Sequence, residues 1–334
     1  MNYKKSIGFL IKIGIVLTSL YFLYTQFKDN LFVQSVNGSS YNLKTFLSSE
    51  FLSENFFTIC IVVFLMFFNW LLESLKWRFL IKKIENISVL NSLRAVFSGI
   101  TVSAFTPNRI GEYGGRVFCL STADRIKAVL ITVIGSMSQL LITIVFGSIG
   151  IVYVMSNYTD DFSEFWSIDG ISFYVIIFVL VLLNLLLLLL FLNTSLFTVF
   201  LNKLKFLEKY HKYSEVFSFY NCSELFKVLL YSAFRYAVFT FQYYILLQMC
   251  SVNIPYTEVM FLVMSMLFIV SVIPTIAITE IGVRAYVAVV ILGLASVNIS
   301  GILSATFLLW IINLLIPSVI GMFFVFTLKF FRKK

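Results

Sequence analysis

A pentapeptide Glu-x-Gly-x-Arg occurs twice in the chain, as Glu112-Tyr113-Gly114-Gly115-Arg116 and as Glu280-Ile281-Gly282-Val283-Arg284. Each copy follows a Val-Ser pair and a proline, Val102-Ser103 with Pro107 and Val270-Ser271 with Pro274. These residue types suit anion recognition. Arginine is always charged and offers a planar fork of donors that fits phosphate. Arg109, Arg116 and Arg284 are therefore candidate ligands for a phosphate-bearing group, and Glu112 and Glu280 balance them in an empty site or receive a cationic head-group moiety. Pro107 at the start of a returning half-helix loses no intrahelical hydrogen bond. Thr279 is placed to cap a helix starting at Glu280. Two helix N-termini facing each other add unpaired N–H groups and partial positive charge, a second anion-binding element. Gly111, Gly114, Gly115 and Gly282 leave room for a helix or a lipid against the backbone.

A Glu and an Arg four apart on one helical turn also neutralise each other without any ligand. A lone charge at mid-bilayer costs about 2.5 to 3.5 kcal/mol, which such pairing relieves. Recurrence of the unit beside helix breaks in both halves favours a site, and both readings stand at the level of sequence. Elsewhere, Glu73 and Lys76 read as an ion pair at the cytosolic end of their helix, with the long lysine stem reaching the interface. Arg235 lies about two to three turns inside its own apolar run, placed either to snorkel or to line a cavity. Gln139, Asn184, Gln242 and Asn313 read as residues that link helices by hydrogen bonds.

Several chemistries are disfavoured by what is scarce. His211 is the single histidine and sits among Lys203, Lys205, Lys209 and Lys212, so no Ser-His-Asp or Cys-His set can form at the motifs. The acidic pair Asp160-Asp161 belongs to a different connection, away from them. Cys60, Cys119, Cys222 and Cys250 show no Cys-x-x-Cys spacing, so neither a disulfide framework nor a zinc site is indicated. No catalytic residue, metal or cofactor is expected, and the chain is not read as an enzyme. The net charge of +9 comes from short basic clusters at the ends of apolar runs, which is topological placement and not a nucleic-acid stripe.

The elements that must carry the motifs are helices in a membrane. The chain of 334 residues is 60% hydrophobic and only 12% charged, with a mean hydropathy of +0.96. Long unbroken apolar runs such as 171–192 exclude the short alternating segments of a barrel. Full spans are expected at about 7–26, 55–78, 127–154, 171–193, 225–249 and 301–327. Lys4 and Lys5 precede the first, which lacks a closely following small-x-small site and is read as a retained span. Two pairs of shorter segments, about 89–106 with 109–122 and 258–273 with 280–294, are expected to be re-entrant hairpins. Thirteen to sixteen helical residues rise only about 20 to 24 Å against a hydrocarbon core of about 30 Å.

Lys76, Arg78, Lys82 and Lys83, the cluster Lys203 to Lys212, and Lys329 to Lys334 mark cytosolic ends, while the connection with Asp160, Asp161, Glu164 and Asp169 falls outside. Both termini are then cytosolic, the chain forms one transmembrane domain over 1–334, and the hairpins enter from opposite faces. Such an inverted repeat places a site at mid-bilayer in many transporters.

Pro107-Asn108-Arg109-Ile110-Gly111-Glu112, with Glu280-Ile281-Gly282-Val283-Arg284 after Pro274, resembles the membrane region of the lysylphosphatidylglycerol synthase and flippase family. The resemblance extends in hydropathy over most of the chain, while its specific motifs cover some twenty residues. It implies a polytopic fold with two re-entrant elements, and lipid translocation as in the best-known members. Family proteins that aminoacylate lipids carry a soluble C-terminal transferase domain. This sequence ends in Phe331-Arg332-Lys333-Lys334 directly after its last expected span, so synthase activity is not expected. In the second motif the family often has paired glycines and an acid after the arginine, whereas here Thr279-Glu280 precede Ile281 and Ala285 follows Arg284. The expectation is a lipid transporter of a bacterial cell membrane that binds a phosphate-bearing head group between its hairpins. Arg109, Glu112, Arg116, Arg235, Glu280 and Arg284 would bind, on a backbone shaped by Pro107, Gly111, Gly114, Gly115, Pro274 and Gly282. Membrane lipids are the expected partners, with a membrane protein or a second copy as a further one. The alternatives are a non-catalytic partner of a lipid or glycosyl transferase and a membrane enzyme acting on lipid-linked substrates.

Overall fold

Backbone polar groups in lipid must be satisfied within the protein, which leaves helices or closed barrels. The computed structural model describes residues 49–104, 106, 109–158, 170–196, 198, 211–273 and 277–326, with isolated positions at 10, 13, 14, 17 and 21, and no strand occurs among them. The helices that matter here are α1 (Phe56–Ile81), α2 (Val89–Ser103), α3 (Gly111–Val117), α4 (Arg125–Asn157) and α5 (Gly170–Leu192). They are followed by α6 (Cys222–Met249), α7 (Tyr256–Val272), α8 (Ala277–Leu292), α9 (Ile299–Trp310) and α10 (Ile316–Val325). The expected first span apart from those five positions, the outer acidic connection, residues 203–210, residues 329–334, Pro107 and Pro274 lie outside the described residues.

Among the described residues four helices are long and apolar enough to cross a membrane: α1, α4, the 173–192 part of α5, and the continuous rod formed by α9 and α10. Helix α6, with 28 residues, has the length, but Glu224, Lys227 and Arg235 interrupt its apolar character. The protein is all-helical and polytopic. Helices α7 and α8 have 17 and 16 residues, matching the expected short pair.

Two local expectations are corrected. The returning arm of the first hairpin, expected over 109–122, is helical only over Gly111–Val117. Three of those seven residues are glycine, the weakest helix former after proline, so little intrinsic propensity extends it. Helix α8 already begins at Ala277, so Thr279 lies in its first turn and does not cap a start at Glu280. At the first hairpin the N-cap position is Ile110, which makes no side-chain cap, and the Gly111 N–H is satisfied instead by Thr106 Oγ1, which accepts from it at 2.8 Å.

Helix contacts rely on small residues and single hydrogen bonds, as expected where apolar burial against lipid gives little preference. Thr101 Oγ1 donates to the Ser318 carbonyl at 2.7 Å and ties α2 to α10. Gln242 Nε2 donates to the Val62 carbonyl at 2.8 Å, joining α6 to α1. Gly147 and Gly150 of α4 lie against Phe268 and the Phe261–Ser265 backbone of α7. The leucine-rich α5 is tethered through Asn184, whose Nδ2 donates to Ser148 Oγ at 2.9 Å, while Phe178, Leu182, Leu185 and Leu189 stay exposed for lipid.

Between α9 and α10 the residues Ile311–Leu315 form a π-helical turn. Its cause is Pro317: with no N–H to donate to the carbonyl four residues earlier, that of Asn313, the ladder widens just upstream of the ring.

Outside the spans, Glu85 closes the connection between α3 and α4. Its carboxylate accepts from the N–H groups of Ser121, Thr122 and Ala123 at 3.0, 2.8 and 2.7 Å, and from Thr122 Oγ1 at 2.9 Å. Partial burial pushes this carboxyl upward, but the Ser121, Ala123 and Thr122 backbone donors outweigh it and hold the group below the usual carboxylate value of 4.5. The stabilisation is present above that value and is lost as pH falls below it through the folded-state value. Glu85→Gln is therefore expected to lower the protection of the Ser121–Ala123 amides, their exchange rate taken relative to the intrinsic rate at the same pH, and acidification below 4.5 should do the same to the unaltered protein. Hydrogen exchange read by mass spectrometry checks both, and unchanged exchange in the variant contradicts the assignment.

Candidate functional site

A lone carboxylate inside a membrane helix needs compensation, and Glu73 of α1 obtains it from three helices at once. It is 4% exposed and engages three cations. Lys76 Nζ lies 2.9 Å from its Oε2, and Arg116 NH1 lies 2.8 Å from its Oε1. Arg235 of α6 also pairs with Oε2 through its NH1. Lys76 is 1% exposed and further donates to the Gly135 carbonyl at 3.1 Å and to Ser232 Oγ at 3.2 Å. Glu73 and Lys76 are thus the buried centre of a network, not the interfacial pair expected from their position near a helix end.

The first Glu-x-Gly-x-Arg copy pairs within itself, Arg116 with Glu112, and Arg116 then bridges to Glu73. Gly115 makes this bridge possible. A Cβ there would meet Gly99 Cα at 2.6 Å and the Gly99 nitrogen and Ser98 carbonyl oxygen at 2.9 Å, so the α2 and α3 backbones touch. Gly111 is equally confined, with the Val102 carbonyl oxygen 2.6 Å from where a Cβ would sit. Gly114 and Gly282 are not: among the described residues Gly114 would meet only Phe118 at 3.8 Å, and Gly282 nothing within 4 Å. Gly111 and Gly115 thus take protein against the backbone, and Gly99, not singled out in the sequence, is the partner of Gly115, while the described residues leave open space at Gly114 and Gly282.

Beside this network lies a cavity of about 730 Å³. Charged side chains on its wall are Glu73 and Lys76 of α1, Arg109 and Glu112 of the first hairpin, Arg235 of α6 and Arg284 of α8. Arg116 is 4% exposed and stands behind this wall, holding Glu112 and Glu73. Val270 and Val272 at the end of α7, with Ile273 just past it, contribute apolar wall, so both hairpins border one space. Arg235 lines it and does not merely snorkel: its Nε donates to Asn69 Oδ1 at 2.8 Å and its guanidinium lies 5.1 Å over the Trp70 ring. Arg109, at the turn between α2 and α3, has φ of 56°, a left-handed conformation disfavoured by roughly 1 to 2 kcal/mol outside glycine. Structure held at that cost is frequent where a side chain must be aimed.

Of the uncharged polar residues, Asn184 and Gln242 link helices as expected, Gln139 does so by accepting from Arg235 of α6 at 3.4 Å and also lines the cavity, and Asn313 is on the cavity wall. Asn313 is placed there by the π-helical turn, a device frequent at functional positions. Glu280 is helical, but its side chain lies outside the described residues. Among the described residues no three of His, Cys, Asp and Glu are grouped as metal ligands. Arginine forks, a lysine and amide groups around a partly apolar void can bind an anion carried on an apolar body.

No curated protein matches this sequence. The profile of the family described as the lysylphosphatidylglycerol synthase TM region matches residues 10–321, taking in every helix described above but the last turn of α10. By that match, and with the all-helical fold and both motif copies in place, the chain belongs to the lysylphosphatidylglycerol synthase TM-region family.

Proposed function

We propose that the protein is a lipid transporter that takes a phosphate-bearing head group into the cavity between its two hairpins and passes it across the membrane. The observation that carries this reading is the cavity itself, about 730 Å³ and bordered by Arg109, Arg235 and Arg284 from three separate parts of the chain. A head group needs donors that replace water, and guanidinium groups in a low-dielectric site supply them without reorganising. The acyl chains stay beside apolar helix surface. No bond is made or broken, so no enzyme chemistry is assigned. A bacterial plasma membrane is the setting, with both termini cytosolic and the hairpins entering from opposite faces.

Reconstitution into liposomes with fluorescent reporter lipids tests it. Protein-dependent movement of an anionic lipid between leaflets supports the reading, and its absence for anionic, aminoacylated and polyprenyl-phosphate lipids removes it. Arg284→Gln is expected to slow movement by about tenfold to a hundredfold, because a hydrogen bond to a charged group contributes roughly 1.5 to 3 kcal/mol. Arg109→Asn should do the same while tolerating the left-handed backbone at that turn.

A further inference from the structure

The turn of α8 that carries the second Glu-x-Gly-x-Arg copy borders two spaces. Arg284 lies on the wall of the charged cavity, whereas Gly282 and Val283 lie on the wall of a second, smaller one of about 410 Å³. The rest of that wall is Ile269 of α7, Ile273 just past it, and the next turns of α8 as far as Ile291. Apart from the Tyr286 phenol it is aliphatic, and no charged side chain lines it among the described residues. Along α8 the groove follows the row Gly282, Tyr286 and Val290, spaced four apart, with Val287 and Ile291 buried beside it. From Gly282 to Ile291 the helix rises about 14 Å. Tyr286 and Val290 are exposed, so the groove opens towards lipid, and a Cβ at Gly282 would meet nothing within 4 Å among the described residues.

On a helix of 3.6 residues per turn, positions two apart stand about 200° from each other, so Gly282 and Arg284 occupy opposite sides of α8. Ile273 is on the wall of both spaces, which therefore adjoin at the hairpin end of α7. A head group drawn into the charged cavity has hydrocarbon attached to it. That chain cannot follow onto a wall of arginine, lysine and glutamate without losing apolar contact, at about 0.8 kcal/mol per methylene. The groove beyond Ile273 removes the cost. Lipid tails are as apolar as the groove, so entering it from the bilayer gains little, and its effect falls on the route and rate of the lipid more than on affinity. Resting on the reading of the cavity as a lipid head-group site, we propose that the groove between α7 and α8 holds a hydrocarbon chain of the same lipid, which straddles the end of the second hairpin.

The test places the full-length protein in liposomes with phosphatidylglycerol that carries a photoreactive diazirine near the end of one acyl chain, and maps the labelled residues by mass spectrometry. Label over residues 269–291 is expected to exceed several-fold that on Phe178 and Leu185, which are exposed on α5 and report passing lipid. Arg109→Asn, on the other hairpin and not on the groove wall, should lower the excess, because head group and chain belong to one molecule. Gly282→Phe fills the groove and should slow movement of a long-chain reporter lipid about tenfold, the equivalent of two methylenes held off apolar contact. Its melting midpoint checks that it folds. Label no higher in the groove than on α5, whether because lipid only passes or because protein fills the groove, overturns the proposal. So does label that Arg109→Asn leaves undiminished, which marks a separate lipid site, or a folded Gly282→Phe that moves lipid at the unaltered rate. Each of these leaves the transport reading standing where the unaltered protein moves lipid. No movement by the unaltered protein, with groove label still dependent on Arg109, overturns transport and supports the shared head-and-chain site.

Discussion

Glu73→Leu is expected to lower the thermal midpoint of the purified protein by roughly 5 to 10 °C, the largest loss among single polar substitutions. The carboxylate is 4% exposed and is the common partner of Lys76, Arg116 and Arg235. Removing one member of a buried pair leaves charge uncompensated and costs about 3 to 5 kcal/mol. With a few degrees of midpoint per kcal/mol for a chain of this size, the shift follows. A double variant, Glu73→Leu with Lys76→Met, is expected to recover part of the loss, because removing both charges of a buried pair is far milder than removing one. Fluorescence-detected melting in detergent checks both proteins. An unshifted midpoint in the single variant, or a double variant less stable than the single one, refutes the role of Glu73 as shared counter-ion.

Substitution of the two motif glycines is expected to have opposite outcomes. Gly115→Ala forces a Cβ into backbone atoms of Gly99 and Ser98, at 2.6 to 2.9 Å, where no flexible side chain can yield. Overpacking costs about 1 to 3 kcal/mol, and contact with backbone places this variant at the upper end. Separating α2 from α3 also draws Arg116 away from Glu73, so the damage reaches the charge network. Gly282→Ala meets nothing within 4 Å among the described residues and sits inside α8, where alanine raises helix propensity by about 1 kcal/mol. The first variant should melt lower and lose lipid movement, and the second should melt at the same temperature or higher. Equal behaviour of the two contradicts the packing described for α2 and α3.

The contrast between these glycines shows where sequence reading stops. Helical class, the approximate bounds of four of the six expected spans and the pairing of short segments were legible because the bilayer imposes a length and forbids unsatisfied backbone. The arginines of the cavity were legible because charge in an apolar run is rare. Glu73 was not, since its visible partner, Lys76, is three residues away, whereas Arg116 and Arg235 are 43 and 162 residues away in sequence. Gly99 resembled any tolerated helix glycine, and only the approach of Gly115 gives it meaning. The seven-residue extent of α3 was hidden because apolar residues continue beyond it while the chain turns into the donors that hold Glu85.

The spacing of the Glu73 partners also bears on how the protein is made. Helix α1 leaves the ribosome long before Arg235 has been synthesised, so Glu73 must enter the membrane with what its own helix carries. Lys76, one turn away, makes that helix locally neutral from the start. Arg116 can join when the first hairpin inserts, and Arg235 only after α6 emerges. Lys76 is thus the founding counter-ion of the network, and its loss should appear first as a defect of insertion and yield, before any effect on the finished site.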